Sequence, residues 1–180
     1  MAIQVTEKSS DYRQIPPGAH DALITGVVEL GQRLTDFGCR NELCFIFRNA
    51  GGETISRTMA AIAASQSELG KLAQAGGFNP KEPEQALGKT VRILVESYTP
   101  AGSQFDRARV AKFGTATRDL PTDGIELTTY DGETRDPLMF ARLQGWQQDR
   151  ITKAGIAPAS TTDEWGDLPT VTAADGEVWL

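Results

Sequence analysis

The chain has 180 residues, 39% hydrophobic and 23% charged, with 18 Lys+Arg against 24 Asp+Glu and a net charge of −6. That length fits one compact domain with an appendage and buries a core without disulfide or metal staples, and the composition excludes collagen-like and wholly disordered classes. No apolar stretch reaches the roughly 18–20 residues of a membrane helix, and the N-terminus lacks a basic-then-apolar leader pattern, so a cytoplasmic location is expected.

Residues 1–15 are polar and read as a flexible arm, and Pro16-Pro17-Gly18 is a turn signal. Residues 19–30 are rich in Val, Leu, Ile and Thr and read as a first strand, with Gly26 inside it marking a bulge or sharp bend. Residues 31–41 form a polar loop holding Arg33, Phe37, Gly38 and Arg40. Residues 43–48 are a second strand, and Asn49-Ala50-Gly51-Gly52 is a hairpin turn whose glycines supply positive φ. Residues 54–60 are a third strand, with Ile55, Arg57 and Met59 alternating against Thr54, Ser56 and Thr58.

Ser65-Gln66-Ser67-Glu68 has capping-box spacing and opens a short helix carrying Leu69, Leu72 and Ala73, which Gly76-Gly77 stops. Residues 90–98 are a strong fourth strand, and residues 99–104 a Pro/Gly/Ser loop. Residues 105–115 are a fifth strand, with Ala108, Val110 and Ala111 inward and Arg107, Arg109 and Lys112 outward. Residues 119–136 are loop-like with a short strand near residues 125–130, and Asp136-Pro137 opens a second helix running to about Ile151.

Strand, strand, strand, helix, strand, strand and an added C-terminal helix is the element order of the five-stranded Greek-key barrel known as the OB-fold. A parallel α/β sheet would need a crossover helix after nearly every strand. The expected organisation is a flexible arm over residues 1–15, a mainly β OB-fold domain over residues 16–153 and a disordered acidic tail over residues 154–180.

The tail changes the meaning of the charge. Residues 1–150 hold 17 Lys+Arg against 19 Asp+Glu, a net −2, and residues 151–180 carry the remaining −4. The tail has two aromatic-acidic clusters, one with Asp163, Glu164, Trp165 and Asp167, the other ending in Val178-Trp179-Leu180. Acid beside an apolar anchor is the composition of a docking peptide; the alternatives are a solubilising tail and tryptophans that pack back on the body.

The chain gives little material for catalysis. His20 is the one histidine, Cys39-x4-Cys44 is not a zinc spacing, and Asp131-x-Glu133 reads as a turn rather than a nuclease site. Gly88-Lys89-Thr90 lacks the earlier glycine and following helix of a phosphate loop. No enzyme activity, metal or cofactor is expected. What remains is a set of cations and aromatic rings, the combination that follows phosphates and stacks bases on single strands. In an OB-fold these act from the second and third strands and from the loops joining strands one to two and four to five. The candidates there are Arg33, Phe37, Arg40, Arg48, Arg57, Tyr98, Phe105, Arg107, Arg109 and Lys112. The competing reading keeps at least one of Phe45 and Phe47 in the core and the edge arginines as guards against aggregation.

With these residues laid out, the chain resembles phage and prophage replication-module proteins of single-stranded-DNA-binding, OB-fold character. The resemblance covers about residues 15–153: the opening Gly18-to-Gly31 strand, the Leu43-to-Arg48 strand, the Ser65-to-Leu72 helix, Leu87-Gly88-Lys89 before the fourth strand, and the closing Trp146-containing helix. It implies single-stranded DNA binding with little sequence preference during phage replication or recombination, in the host cytoplasm. It also implies an acidic C-terminal tail that recruits replication and recombination proteins through Asp163, Glu164, Trp165, Asp167, Trp179 and Leu180. The sequence is compatible with a homo-oligomer. The rival reading is a protein-interaction or scaffold module on the same fold without DNA binding.

Overall fold

The computed structural model describes residues 13–159. Residues 1–12 of the expected arm, and the tail residues Asp163, Glu164, Trp165, Asp167, Trp179 and Leu180, lie outside it. The described chain is mainly β. Strands β1 (Gly18–Thr35), β2 (Gly38–Asn49) and β3 (Thr54–Ala60) are followed by helix α1 (Glu68–Gly76), then by β4 (Thr90–Tyr98), β5 (Arg107–Thr115) and β6 (Thr128–Tyr130). Two short helices, α2 (Pro137–Arg142) and α3 (Gly145–Lys153), close the described part. The sheet order is β3-β2-β1-β4-β5, all antiparallel, with β6 adding to β1 in parallel. The sheet curls round a core but is not closed: among the described residues no ladder joins β3 to β5.

Alternation explains the inner core. Leu43, Phe45 and Phe47 of β2, Ile55 and Met59 of β3, and Val91, Ile93 and Val95 of β4 point to one side and are buried with Leu69 and Leu72 of α1. Full burial of a Phe such as Phe45 or Phe47 stabilises by roughly 1.5–3 kcal/mol. Both phenylalanines belong to this core.

β1 does not alternate. Residues 22–28 are all buried, because β1 has a cover on each face. Ile24 and Val27 face the inner core, whereas Val28 and Leu30, with Cys44 of β2, face a second cluster built with Tyr130, Leu143 and Ile151. The switch of face falls at a register shift between Ile24 and Gly26, where the sequence places a bend. A Cβ on Gly26 would lie 2.6 Å from Ile46 Cδ1, so the close approach of β1 to β2 requires glycine.

The packing revises two boundaries and one helix. Residues 154–157, expected in the tail, pack on the domain: Ile156 and Ala157 join the second cluster, and the Tyr130 hydroxyl donates to the Ile156 carbonyl at 2.5 Å. At the other end, Ile15 is fully buried, its N–H donates to Thr54 O, and Thr54 N–H donates to Arg13 O; residues 13–15 are therefore part of the fold rather than a free arm. The single helix expected over residues 136–151 is two. Asp136 caps α2 by accepting from Leu138 N and Met139 N, and the chain turns extended at Leu143 and Gln144 before α3. That break lets Leu143 and Ile151 both reach the second cluster. Gln147, 1% exposed, accepts from Gln144 N at the start of α3 and donates to Cys44 Sγ at 3.5 Å. Burial pushes the Cys44 thiol pKa up, which leaves it an unreactive packing group.

Helix α1 starts two residues later than the capping-box spacing indicates. Ser67, not Ser65, is the cap: its Oγ accepts from Gly70 N at 3.0 Å and donates to Ala64 O at 2.6 Å. Gly77, at φ 69°, ends the helix as expected. The sheet is tied to the chain after β5 by Asp21, which accepts from Arg92 and from the N–H and hydroxyl of Thr117. Burial alone would raise the pKa of this carboxyl, but those bonds outweigh it and hold it below the ordinary value. No helix of the described residues is long and apolar enough to cross a membrane.

Candidate nucleic-acid interface

The expected polar loop over residues 31–41 is instead the far end of the β1–β2 hairpin. The ladder continues through Gln32↔Asn41, Arg33↔Arg40 and Leu34↔Cys39 to a tight turn at Asp36-Phe37. Thr35 Oγ1 donates to Gly38 O at 2.8 Å and accepts from Phe37 N at 3.3 Å, and Gly38 takes φ 103°. Backbone pairing does not need buried side chains, so the strand persists as a two-stranded arm whose mostly polar side chains, with Leu34 and Phe37, are exposed. On this arm Phe37 is 84% exposed and the Arg40 guanidinium sits 5.6 Å from its ring centroid. Arg33 faces Arg40 directly, a like-charge pair that would be unfavourable alone. Glu42, 3.6 Å from Arg33 and also paired with Arg150 of α3, offsets it.

A second group assembles where β4 meets β5. Tyr98 lies opposite Arg107, and the Arg109 guanidinium lies 4.9 Å from the Tyr98 ring centroid. Glu96 approaches Arg109 at 3.9 Å, both about half exposed, so this contact orients more than it neutralises. Phe105, in the connecting loop, is 78% exposed. That loop is fixed by a Thr99–Asp106 hydrogen bond, by Ser103 N donating to Pro100 O and by Phe105 N donating to Ser103 Oγ.

Farther along β5 the register shifts: Val95 pairs with Val110 and Leu94 with Lys112. Ala111, expected inside, is squeezed out as a bulge and is exposed. Phe113 returns to the inner face and packs on Phe47, centroids 5.9 Å apart, so it is core and not a stacking ring.

Arg57 shares the inner phase of β3 with Ile55 and Met59 and lies at the open seam. Its Nη2 donates to Glu68 Oε1 at 2.5 Å, and its Nε is buried without a partner. Arg57 and Lys112 line one cleft of about 570 Å³ with Glu68, Lys71 and Gln74 of α1 and the β5 edge from Val110 to Thr115. Arg48 stands apart, exposed at the end of β2 with its guanidinium over the turn at Gly52.

The ten candidates thus fall into separate groups. Arg33, Phe37 and Arg40 share the arm; Tyr98, Phe105, Arg107 and Arg109 share the β4–β5 end; Arg57 and Lys112 share the cleft; Arg48 is alone. The arm and the β4–β5 loop leave opposite ends of β1, since Gly18 pairs with Val95 whereas Thr35 pairs with Gly38. Among the described residues, Arg40, Arg48, Lys71, Arg107 and Lys112 have no carboxylate within 4.0 Å, so their charges are available to an anionic ligand. Lys71 was not among the sequence candidates. Its signal was the helical spacing of Glu68, Lys71 and Gln74 on the face of α1 away from Leu69 and Leu72.

Among the described residues no group of three or more His, Cys, Asp or Glu is placed to hold a metal. No protein-family model and no curated protein matches the chain.

Proposed function

We propose that this domain is an OB-type barrel, opened between β3 and β5, that binds single-stranded DNA with little sequence preference and carries no catalytic activity. The strand order β3-β2-β1-β4-β5 with α1 between β3 and β4 supports the barrel assignment. The observation that carries the function is the exposed β4–β5 end, where Arg109 covers Tyr98, Arg107 stands opposite and Phe105 projects into solvent. Aromatic faces accept any base and guanidinium groups accept any phosphate, which gives affinity without base readout. The arm, with Arg40 over an exposed Phe37, is a second station of the same chemistry. The acidic C-terminal segment with Trp165 and Trp179 recruits proteins of phage replication or recombination, as the resemblance implies.

Fluorescence anisotropy with labelled oligo-dT tests this reading. The expected result is micromolar or tighter binding in about 50 mM salt that weakens steeply as salt rises. Absence of binding by both the full chain and a chain ending at Ala157 would sink it and leave the scaffold reading.

A further inference from the structure

We propose that the bound strand runs along the outer face of β4–β5 and delivers a phosphate into the cleft between α1 and β5, where Lys71 and Arg57 receive it. This rests on the single-strand reading above and adds a path and a pocket to it.

The first argument is exclusion. The outer face of β1–β2 is occupied by the domain itself: Val28, Leu30 and Cys44 are buried under β6, Leu143 of the α2–α3 turn and Ile151 of α3. Gln144 and Gln147 close over Ile46 and Ser56, leaving a cavity of only about 30 Å³, too small for a base. A strand crossing the middle of β2 would have to displace α3. Among the described residues no such helix covers the outer face of β4–β5, and Tyr98, Arg107, Arg109 and Lys112 all belong to it.

The second argument is phase. On a regular strand Arg107 and Arg109 share a face, but Lys112, three residues beyond Arg109, would fall on the other. The Ala111 bulge absorbs one residue and returns Lys112 to the outer side, opposite Leu94. Arg107, Arg109 and Lys112 therefore form one row, each step about 6.6 Å along the strand, close to the separation of successive phosphates in an extended single strand.

The third argument is the surplus of positive charge at the end of that row. Among the described residues the cleft holds Arg57, Lys71 and Lys112 against one acid, Glu68. Glu68 pairs with one end of the Arg57 guanidinium, whose side chain stays 30% exposed, so Lys71 and Lys112 remain as the uncompensated cations of the cleft for an anionic oxygen. The one ring that lines the cleft, Phe113, packs on Phe47, so the charged lining rather than a stacking face selects the occupant, a phosphate and not a base.

The test compares Lys71→Ala and Lys112→Ala with Lys81→Ala, an exposed loop lysine outside the cleft, by oligo-dT anisotropy from low to moderate salt. Unchanged thermal melting confirms that each variant is folded. The first two should bind about three- to tenfold more weakly than wild type, with the slope of log K against log salt reduced by about 0.7 each, and Lys81→Ala should match wild type. Wild-type binding with all three variants alike would overturn the path and leave the proposed function standing. No binding by wild type would overturn both. A poly-Glu peptide bound in a Lys71-dependent manner, with oligo-dT binding indifferent to Lys71, would assign the cleft to acidic peptide and overturn the phosphate assignment.

Discussion

Replacing Gly70 by Ala should lower the melting temperature by about 5–10 °C, a loss of about 2–3 kcal/mol. The sign is opposite to that of an ordinary helix, where Gly→Ala gains up to about 1 kcal/mol. Gly70 is buried in the first turn of α1. A Cβ there would sit 2.0 Å from the Ala64 carbonyl oxygen and 2.9 Å from Ser65 Cα. These are backbone atoms and cannot rotate away. The Ala64 carbonyl is also held in place, since it accepts from both Ser67 N and Ser67 Oγ. Relief requires either moving residues 64–67 or tilting α1 off the sheet. Tilting would separate Glu68 from Arg57 and open the cleft, so the variant should also lose oligonucleotide affinity. Gly145→Ala is the matched control: Gly145 opens α3 and an added Cβ meets nothing within 4 Å, so its melting temperature should be unchanged or slightly raised. A Gly70→Ala protein that melts at or above the parent would contradict the packing described for α1. Circular dichroism melts of the three proteins decide it.

Tyr98→Ala should weaken oligo-dT binding by about 1–3 kcal/mol, roughly 5- to 150-fold, with little effect on stability. Tyr98 is only half-buried and its ring faces the Arg109 guanidinium, not the core. Its removal takes away a stacking surface and frees Arg109 to fall back toward Glu96, which lies 3.9 Å away. Tyr98→Phe keeps the ring and should stay close to wild type, which separates stacking from any role of the hydroxyl. Equal losses in both variants would point to a hydroxyl contact, and no loss in either would remove Tyr98 from the interface. Titration of both variants at one fixed salt concentration makes the comparison.

Some of this was legible in the sequence. β3 and β4 have the bounds that their alternation indicated, because Ile55 and Met59, and Val91, Ile93 and Val95, are framed by polar partners and by turn residues. The near-continuous apolar stretch of β1 at residues 22–28, interrupted only by Thr25 and Gly26, carried a further message: a strand buried on both faces needs a second cover, and here β6, α2 and α3 supply it. Other features depend on tertiary contacts that local patterns do not encode. The far end of the β1–β2 hairpin is mostly polar and exposed, so its composition matches a loop although its backbone pairs. Ser65 has the better capping-box spacing, but Ser67 is the residue whose hydroxyl reaches Gly70 N and the Ala64 carbonyl together. The residue types of the candidate interface were visible one by one, but their grouping was not. A bulge at Ala111 decides which face Lys112 joins, and nothing in Arg107-Ala108-Arg109-Val110-Ala111-Lys112 announces it. The inward phase of Arg57 was readable from its alternation with Ile55 and Met59, yet its meaning depends on the open seam beside β5.

The central claim is that single-stranded DNA lies on the β4–β5 face and not on the β1–β2 face that α3 covers. An amide proton–nitrogen correlation titration of the full chain with oligo-dT reads this directly. The expected result is that the largest shift changes cluster at Tyr98, Phe105, Arg107, Arg109, Lys112 and Lys71, while α3, from Gly145 to Lys153, stays unperturbed. Changes centred on α3 and the middle of β2, or no change at an oligonucleotide excess, would contradict it.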